Sequence, residues 1–447
     1  MPAFSLDTNL DTCLLDASKQ QLVSLGKPVA IERLAKKSRI RIGVLPYYFT
    51  DEKPKILTDN EKSDYLQAAQ LITNLSSGVI TIEVKFLPSL NTENSQSSLI
   101  NILKQGNRSW SDIENSTWGF VKKTILTADK SIDFSNFDSV VLEGNVLEQN
   151  YSGAEAMAFL RGSQGNVYTD WENEFFRSVK TSEGFIDNAV LLIGHKGVNT
   201  IAHELMHNFG LTDLYGSGSG PGLLSMMAVG SGLLNYEKAV LGWFPNSQFV
   251  CKEYRDFINE NSVENVLVID NFRQDSIFLL KQTEETAYIV EVINREGKSL
   301  LVVYLIEQNL RPPITVFYDP NIAFSNFDLS NPRNIGSSYS ALDFDLLINN
   351  VRSNTAILNF VPKKLKNTVE ANNLYKQSSL NKEAELKAKA EAELRAKAEA
   401  ELRAKAEAEL KAKTNVSKKE TILCTRGKSI KKVTSVNPKC PAGFKRK

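Results

Sequence analysis

The sequence predicts a mixed α/β domain, followed by a β-sandwich module, a single charged α-helix and a short basic tail. Three patterns carry that expectation. Over the first half of the chain, apolar strand-like runs alternate with helically spaced segments, as in a layered α/β domain. From about residue 250 to 361, strand-like runs follow one another between polar turns, with no helical period. Residues 383–413 then repeat Ala-Glu-Leu-Lys/Arg-Ala-Lys-Ala-Glu every eight residues.

Residues 1–38 are mixed and polar and read as a lead-in segment. Residues 39–249 form the α/β domain. Arg39–Phe49 opens with alternating apolar residues and reads as a strand. Asp59–Leu75 has helical spacing, with Tyr65, Ala68, Leu71 and Ile72 on one side. Gly78–Leu87 reads as a second strand, and 97–127 as helix interrupted near Gly106. Ser139–Leu142 and Ala189–Ile193 are short apolar runs of the kind found in inner strands. The polar stretch 150–187, with Tyr151, Phe159, Tyr168, Trp171, Phe175 and Phe176, is expected to supply an edge strand and loops beside a cleft.

The β-rich module spans 250–363. Its expected strands are Val263–Ile269, Ile277–Leu280, Ala287–Ile293, Leu300–Ile306, Ile314–Tyr318 and Ala356–Val361. A linker, 364–382, leads to the repeat at 383–413. Eight residues advance a helix by about 80° beyond two turns. Leu386, Leu394, Leu402 and Leu410 therefore spiral around it, and no coiled-coil seam forms. Glu385–Lys389 and its three repeats are favourably oriented ion pairs, so the expectation is a solvated, semi-rigid helical spacer. The tail, 414–447, is basic and contains Cys424 and Cys440.

A length of 447 residues, 42% hydrophobic content and a formal net charge of +1 describe an ordinary globular chain and argue against nucleic acid as a partner. No apolar run is long enough to span a bilayer, and no export signal is visible at Met1. Cys424 with Cys440, and Cys13 with Cys251, are candidate disulfides; four free thiols are the alternative.

The chemistry concentrates in Ile201-Ala-His203-Glu204-Leu-Met-His207-Asn-Phe-Gly210-Leu-Thr-Asp213-Leu-Tyr215. On a helix, positions four apart share a face, so His203 and His207 can hold one zinc ion while Glu204 flanks a bound water. Ile201, Leu205 and Phe209 mark the face to be buried. Gly210 ends the helix, and the turn is expected to bring Asp213 back as a third ligand, leaving one position open for water. His-Glu-x-x-His-x-x-Gly-x-x-Asp is the metzincin pattern with Asp in place of the usual third His. Met227, in Met226-Met-Ala-Val-Gly-Ser231, fits the methionine turn of that pattern.

Three ordered blocks, His203–Tyr215, Met227–Ser231 and Tyr236-Glu-Lys-Ala-Val-Leu-Gly-Trp243, resemble the immune inhibitor A-type secreted bacterial zinc metallopeptidases. The resemblance implies a metzincin-like fold and peptide-bond hydrolysis outside the cell or at its envelope. It also implies one catalytic Zn2+ held by His203, His207 and Asp213, with Glu204 as general base. Thr212 stands where the family usually has Pro, which loosens the turn aiming Asp213; Glu237 is the fallback ligand. His195 is expected on a loop near the cleft, and Tyr215 and Tyr236 are candidate helpers of the oxyanion. Bound Ca2+ is not readable from the sequence. Expected partners are protein or peptide substrates; the basic tail reads as a solubilising segment, with contact to an anionic envelope surface as the alternative. The competing reading is an inactive, metzincin-fold binding protein of the envelope.

Overall fold

The computed structural model describes residues 10–17, 23–27, 29, 33–103, 110–144, 156–161, 177–215, 220–317, 327–335, 337–352, 354–416 and 419–447. The architecture is mixed α/β with several sheets. The chain divides into two compact units, Met1–Ser379 and Leu380–Lys447.

The first sheet of the larger unit runs Thr81–Phe86, Arg39–Tyr48, Ser139–Glu143, Asn188–Leu192, Ala156–Leu160. The first four strands are mutually parallel, and Ala156–Leu160 closes the edge antiparallel to Asn188–Leu192. The edge strand thus falls inside the stretch expected to hold one. Tyr151, Tyr168, Trp171, Phe175 and Phe176 lie outside the described residues. Ser139–Glu143 and Asn188–Leu192 are buried throughout because helices cover both faces of a parallel sheet. The helix Asp59–Leu75 starts with a capping box between Thr58 and Glu61 and buries Tyr65, Ala68, Ala69 and Ile72, largely the expected face. Helices Gln96–Leu103 and Trp110–Ala128 stand where one interrupted helix was expected; Gly106 lies outside the described residues.

Past residue 248 the chain builds two further sheets, as the strand-like runs require. One runs Ile314–Val316, Lys298–Glu307, Thr286–Arg295, Ser276–Thr283, Phe249–Glu253; the other Asn265–Ile269, Thr355–Pro362, Phe344–Arg352, Ser338–Ser340. Phe344–Arg352 and Ser338–Ser340 were not expected from the sequence. Phe278, Tyr288 and Val303 from the first sheet share one apolar cluster with Leu346, Leu358 and Phe360 from the second.

The other face of the first of these sheets is not free. Ile277, Leu279, Ile289 and Tyr304 join a single core with Ile42, Val44, Leu205, Phe209, Met227 and Trp243. The boundary expected near 250 is therefore crossed by continuous packing. The lead-in segment also differs from expectation. Cys13, Leu14, Leu15, Leu25 and Leu34 are buried in that core; the Cys13–Cys251 bond itself is the candidate pairing read from the sequence. Segments that carry few apolar residues show no period, yet these five described residues are all buried. The Cys13–Cys251 bond spans a sequence separation of 238. Replacing both cysteines with Ser should lower stability by roughly 2–4 kcal/mol, read as a shift of the urea midpoint.

The segment expected as a linker, 364–382, is helical from Val369, with Ala371 and Ser378 buried. The helix Val369–Val416 contains the whole repeat. Within the second unit Leu394, Leu402 and Leu410 are 67–74% exposed, as a spiral of leucines without a seam requires. The tail folds into a sheet of Glu420–Arg426, Ser429–Ser435 and Lys445–Arg446, stapled by Cys424–Cys440. All four cysteines are paired, so the free-thiol alternative does not hold.

Candidate metal centre

The helix Val198–Phe209 carries the His-Glu-x-x-His segment directly after the inner strand Asn188–Leu192. Its buried face includes Ile201, Leu205 and Phe209, and the opposite side presents His203 and His207. The helix ends at Gly210, whose φ of 109° lies in the left-handed region that glycine tolerates best. A Cβ there would also stand 3.0 Å from Val29 Cγ1. The Gly210 N–H donates to His207 O and the Leu211 N–H to Met206 O, and the chain turns back.

That turn places Asp213 Oδ1 3.1 Å from His203 Nε2 and 3.3 Å from His207 Nε2. Thr212 in place of Pro does not carry Asp213 away. The imidazoles stand nearly perpendicular, with centroids 4.9 Å apart. Their other nitrogens are fixed by backbone: His203 Nδ1 lies 2.7 Å from Met226 O and His207 Nδ1 2.8 Å from Leu211 O. A carbonyl oxygen only accepts, so each Nδ1 carries the proton and donates it. A neutral ring then aims its Nε2 lone pair at Asp213 Oδ1. That oxygen is buried and has no hydrogen-bond partner of good geometry. Three electron-rich atoms converging in this way repel one another unless positive charge sits among them.

The spacing is compatible with a zinc ion. Zinc bonds of about 2.0–2.1 Å at tetrahedral angles set neighbouring ligand atoms roughly 3.3 Å apart. The two measured separations, 3.1 and 3.3 Å, match that edge. His203, His207 and Asp213 form one of two groups among the described residues whose donor atoms are close enough for a shared ion.

A proton on His207 can supply that positive charge as well as an ion can. Burial disfavours a charged His207, but the adjacent Asp213 carboxylate outweighs it and raises the ring to about 9. Burial works to raise the Asp213 carboxyl, yet the two imidazoles hold it well below the usual carboxylate range. Glu204 is 7% exposed; burial pushes its carboxyl up, partly offset by His207 and His203. A carboxylate destabilised by burial accepts a proton readily, which suits a general base. Tyr215 stacks over His203, with centroids 5.9 Å apart and planes at 28°, and is half exposed.

Glu237 is not brought to the histidine–aspartate cluster. It is fully buried; Ser225 Oγ donates to its Oε1 at 2.9 Å and the Leu234 N–H to its Oε2 at 2.6 Å. Ser225 Oγ in turn accepts the Met227 N–H at 3.0 Å. Glu237 thus braces the turn whose Met226 carbonyl orients His203. Met227 is wholly buried, and its carbonyl accepts the Leu214 N–H, joining the turn to the segment that carries Asp213. Gly230 is required in this turn because a Cβ would fall 2.3 Å from Leu223 O. The carbonyls of Met226 and Leu211 went unrecognised in the sequence, since a backbone acceptor leaves no residue-type signal.

Tyr236 lies elsewhere: it is fully buried and its hydroxyl accepts the Leu15 N–H, so it is not an oxyanion helper. Its own N–H donates to Glu291 Oε2, Asn235 Nδ2 donates to Val292 O, and Arg295 donates to the carbonyls of Leu223 and Leu224. The hairpin built on Thr286–Arg295 therefore supports the methionine turn. Burial raises Glu291 to about 8, from a usual 4.5. Folded protein then holds a proton that unfolded chain releases from about pH 4.5 upward. The stability this proton confers is present at acid pH and lost as pH rises through about 8. Glu291→Gln should flatten that decline and raise Tm by a few degrees at pH 8 relative to pH 5, measured by calorimetry.

His195 belongs to the second group. Its Nδ1 is 3.2 Å from Glu143 Oε1 and its Nε2 2.8 Å from Asp64 Oδ2. Lys55 Nζ already sits 2.6 Å from Glu61 and 3.4 Å from Glu143, so this cluster contains its own cation. It clamps the loop before the His-Glu helix onto the helix Asp59–Leu75.

No family model matches the chain, and no curated protein resembles it at a significant level.

Proposed function

We propose that the chain is a zinc-dependent endopeptidase acting outside the cytosol, related to the immune inhibitor A-type metallopeptidases, with a metzincin-like domain abutting a β-sandwich. One observation carries this reading. His203, His207 and Asp213 converge at separations that a zinc tetrahedron accommodates, while Glu204, on the same helix, is buried with its carboxyl pushed up by that burial. When bound there, zinc supplies Lewis acidity that lowers the pKa of water to about 7 and polarises a carbonyl. Glu204 takes a proton from the attacking water and returns it to the departing amine. The backbone carbonyls behind both rings hold the imidazoles in the tautomer that leaves Nε2 available. Tyr215, beside His203 and half exposed, is placed to donate a hydrogen bond to substrate as its carbonyl gains charge. The two disulfides suit an oxidising compartment.

Casein digestion tests the proposal. Purified protein should degrade it, stop on addition of a chelator and resume with zinc. Zinc binding without hydrolysis would favour the envelope-binding reading instead. No helix among the described residues is long and apolar enough to cross a membrane.

A further inference from the structure

The near-zero net charge of the chain conceals a division. Of 53 Lys and Arg against 52 Asp and Glu, residues 419–447 hold nine of the former and one of the latter, Glu420, so the remainder of the chain is net acidic. That basic segment is folded. Glu420–Arg426 pairs with Ser429–Ser435 and Lys445–Arg446, and Cys424–Cys440 locks the sheet. Side chains alternate across a sheet, and one face holds the interior: Ile422 and Cys424 are buried there.

The other face is composed differently. Leu423 and Ile430, 45% and 58% exposed, are diagonal neighbours in the register that pairs Leu423 with Lys432 and Thr425 with Ile430. Lys445 flanks them, paired with Thr425 from the other side. The hydroxyls of Thr421 and Thr434 bond to each other at 2.8 Å along the same face. Exposed aliphatics between lysines, on a disulfide-fixed sheet, match an interface where alkyl chains lie under anionic headgroups. A soluble polyanion would recruit the lysines and gain nothing from Leu423 and Ile430. Nucleic acid would call for exposed aromatic rings to stack on bases. The segment's one aromatic, Phe444, is partly buried and covered by Lys431 at 5.3 Å.

We propose that residues 419–447 form a docking module for anionic phospholipid bilayers, with the Leu423, Ile430, Lys432 and Lys445 face as the contact. The inference is independent of the zinc reading and alters none of its residues. The full-length chain is sedimented with phosphatidylcholine vesicles containing or lacking phosphatidylglycerol. It should bind the anionic vesicles, weaken as salt rises, and ignore the neutral ones. Lys432→Glu with Lys445→Glu should reduce partitioning at least tenfold, while Lys432→Arg with Lys445→Arg retains it. Leu423→Ser with Ile430→Ser should also reduce it. Mass analysis confirms that the Cys424–Cys440 bond is intact in each variant. Unchanged partitioning of the Glu variant would overturn the proposal. So would equal binding to inorganic polyphosphate with no effect of the Ser substitutions, which would assign the module to soluble polyanions.

Discussion

Glu204→Gln should retain zinc stoichiometrically and lose peptidase activity by about 10²–10⁴-fold, the usual contribution of a positioned proton-transfer group. The two halves of that result come from separate features. On the proposed reading zinc affinity would come from His203, His207 and Asp213, with both ring Nε2 atoms within 3.3 Å of Asp213 Oδ1. Turnover needs a basic oxygen beside the ion, and Gln fills the same space without one. Glu204 is 7% exposed, so the neutral amide also removes a buried charge and should not destabilise the fold. The measurement is zinc content and casein turnover on the same preparation. Zinc retained with unchanged turnover would remove Glu204 from the mechanism.

The second large effect separates Asp213 from Glu237. Asp213→Ala should weaken zinc binding by more than the roughly 10–100-fold that loss of a supporting partner costs. It removes a donor whose oxygen lies within 3.3 Å of both ring nitrogens. Glu237→Gln should fall within or below that range. Gln can accept the Leu234 N–H at its carbonyl oxygen and donate its amide N–H to Ser225 Oγ, so the turn that orients His203 stays in place. Competitive titration against a chromophoric chelator reads both affinities. Equal losses in the two variants would mean that Asp213 contributes only as a brace.

The clustering of His203, His207 and Asp213 was legible because its spacing is local. His203 and His207 are one helical turn apart, Gly210 supplies the left-handed residue that reverses the chain, and Asp213 follows at the distance the reversal requires. The parallel strands could be read from their unbroken apolar runs, and the solvated helix from its eight-residue period. What escaped depends on contacts between distant segments. Nothing in the composition of residues 1–38 shows that Leu14, Leu15 and Leu34 complete a core, although Cys13 with Cys251 was one of the two candidate pairings. Phe344–Arg352 contains Asp345, Asn349 and Asn350, which broke the apolar alternation. Asp345 sits there because Lys363 and Lys366 neutralise it, both at 2.7 Å. Glu237 passed for a ligand because a buried acid near two histidines has the same one-dimensional signature whether it binds an ion or a serine.

Zinc K-edge absorption of the reconstituted chain tests the central claim most directly. A single zinc per chain, with four nitrogen or oxygen neighbours at about 2.0–2.1 Å and the outer-shell pattern of two imidazoles, is the expected spectrum. Sulfur in the first shell, no imidazole signature, or no zinc retained after dialysis would contradict it.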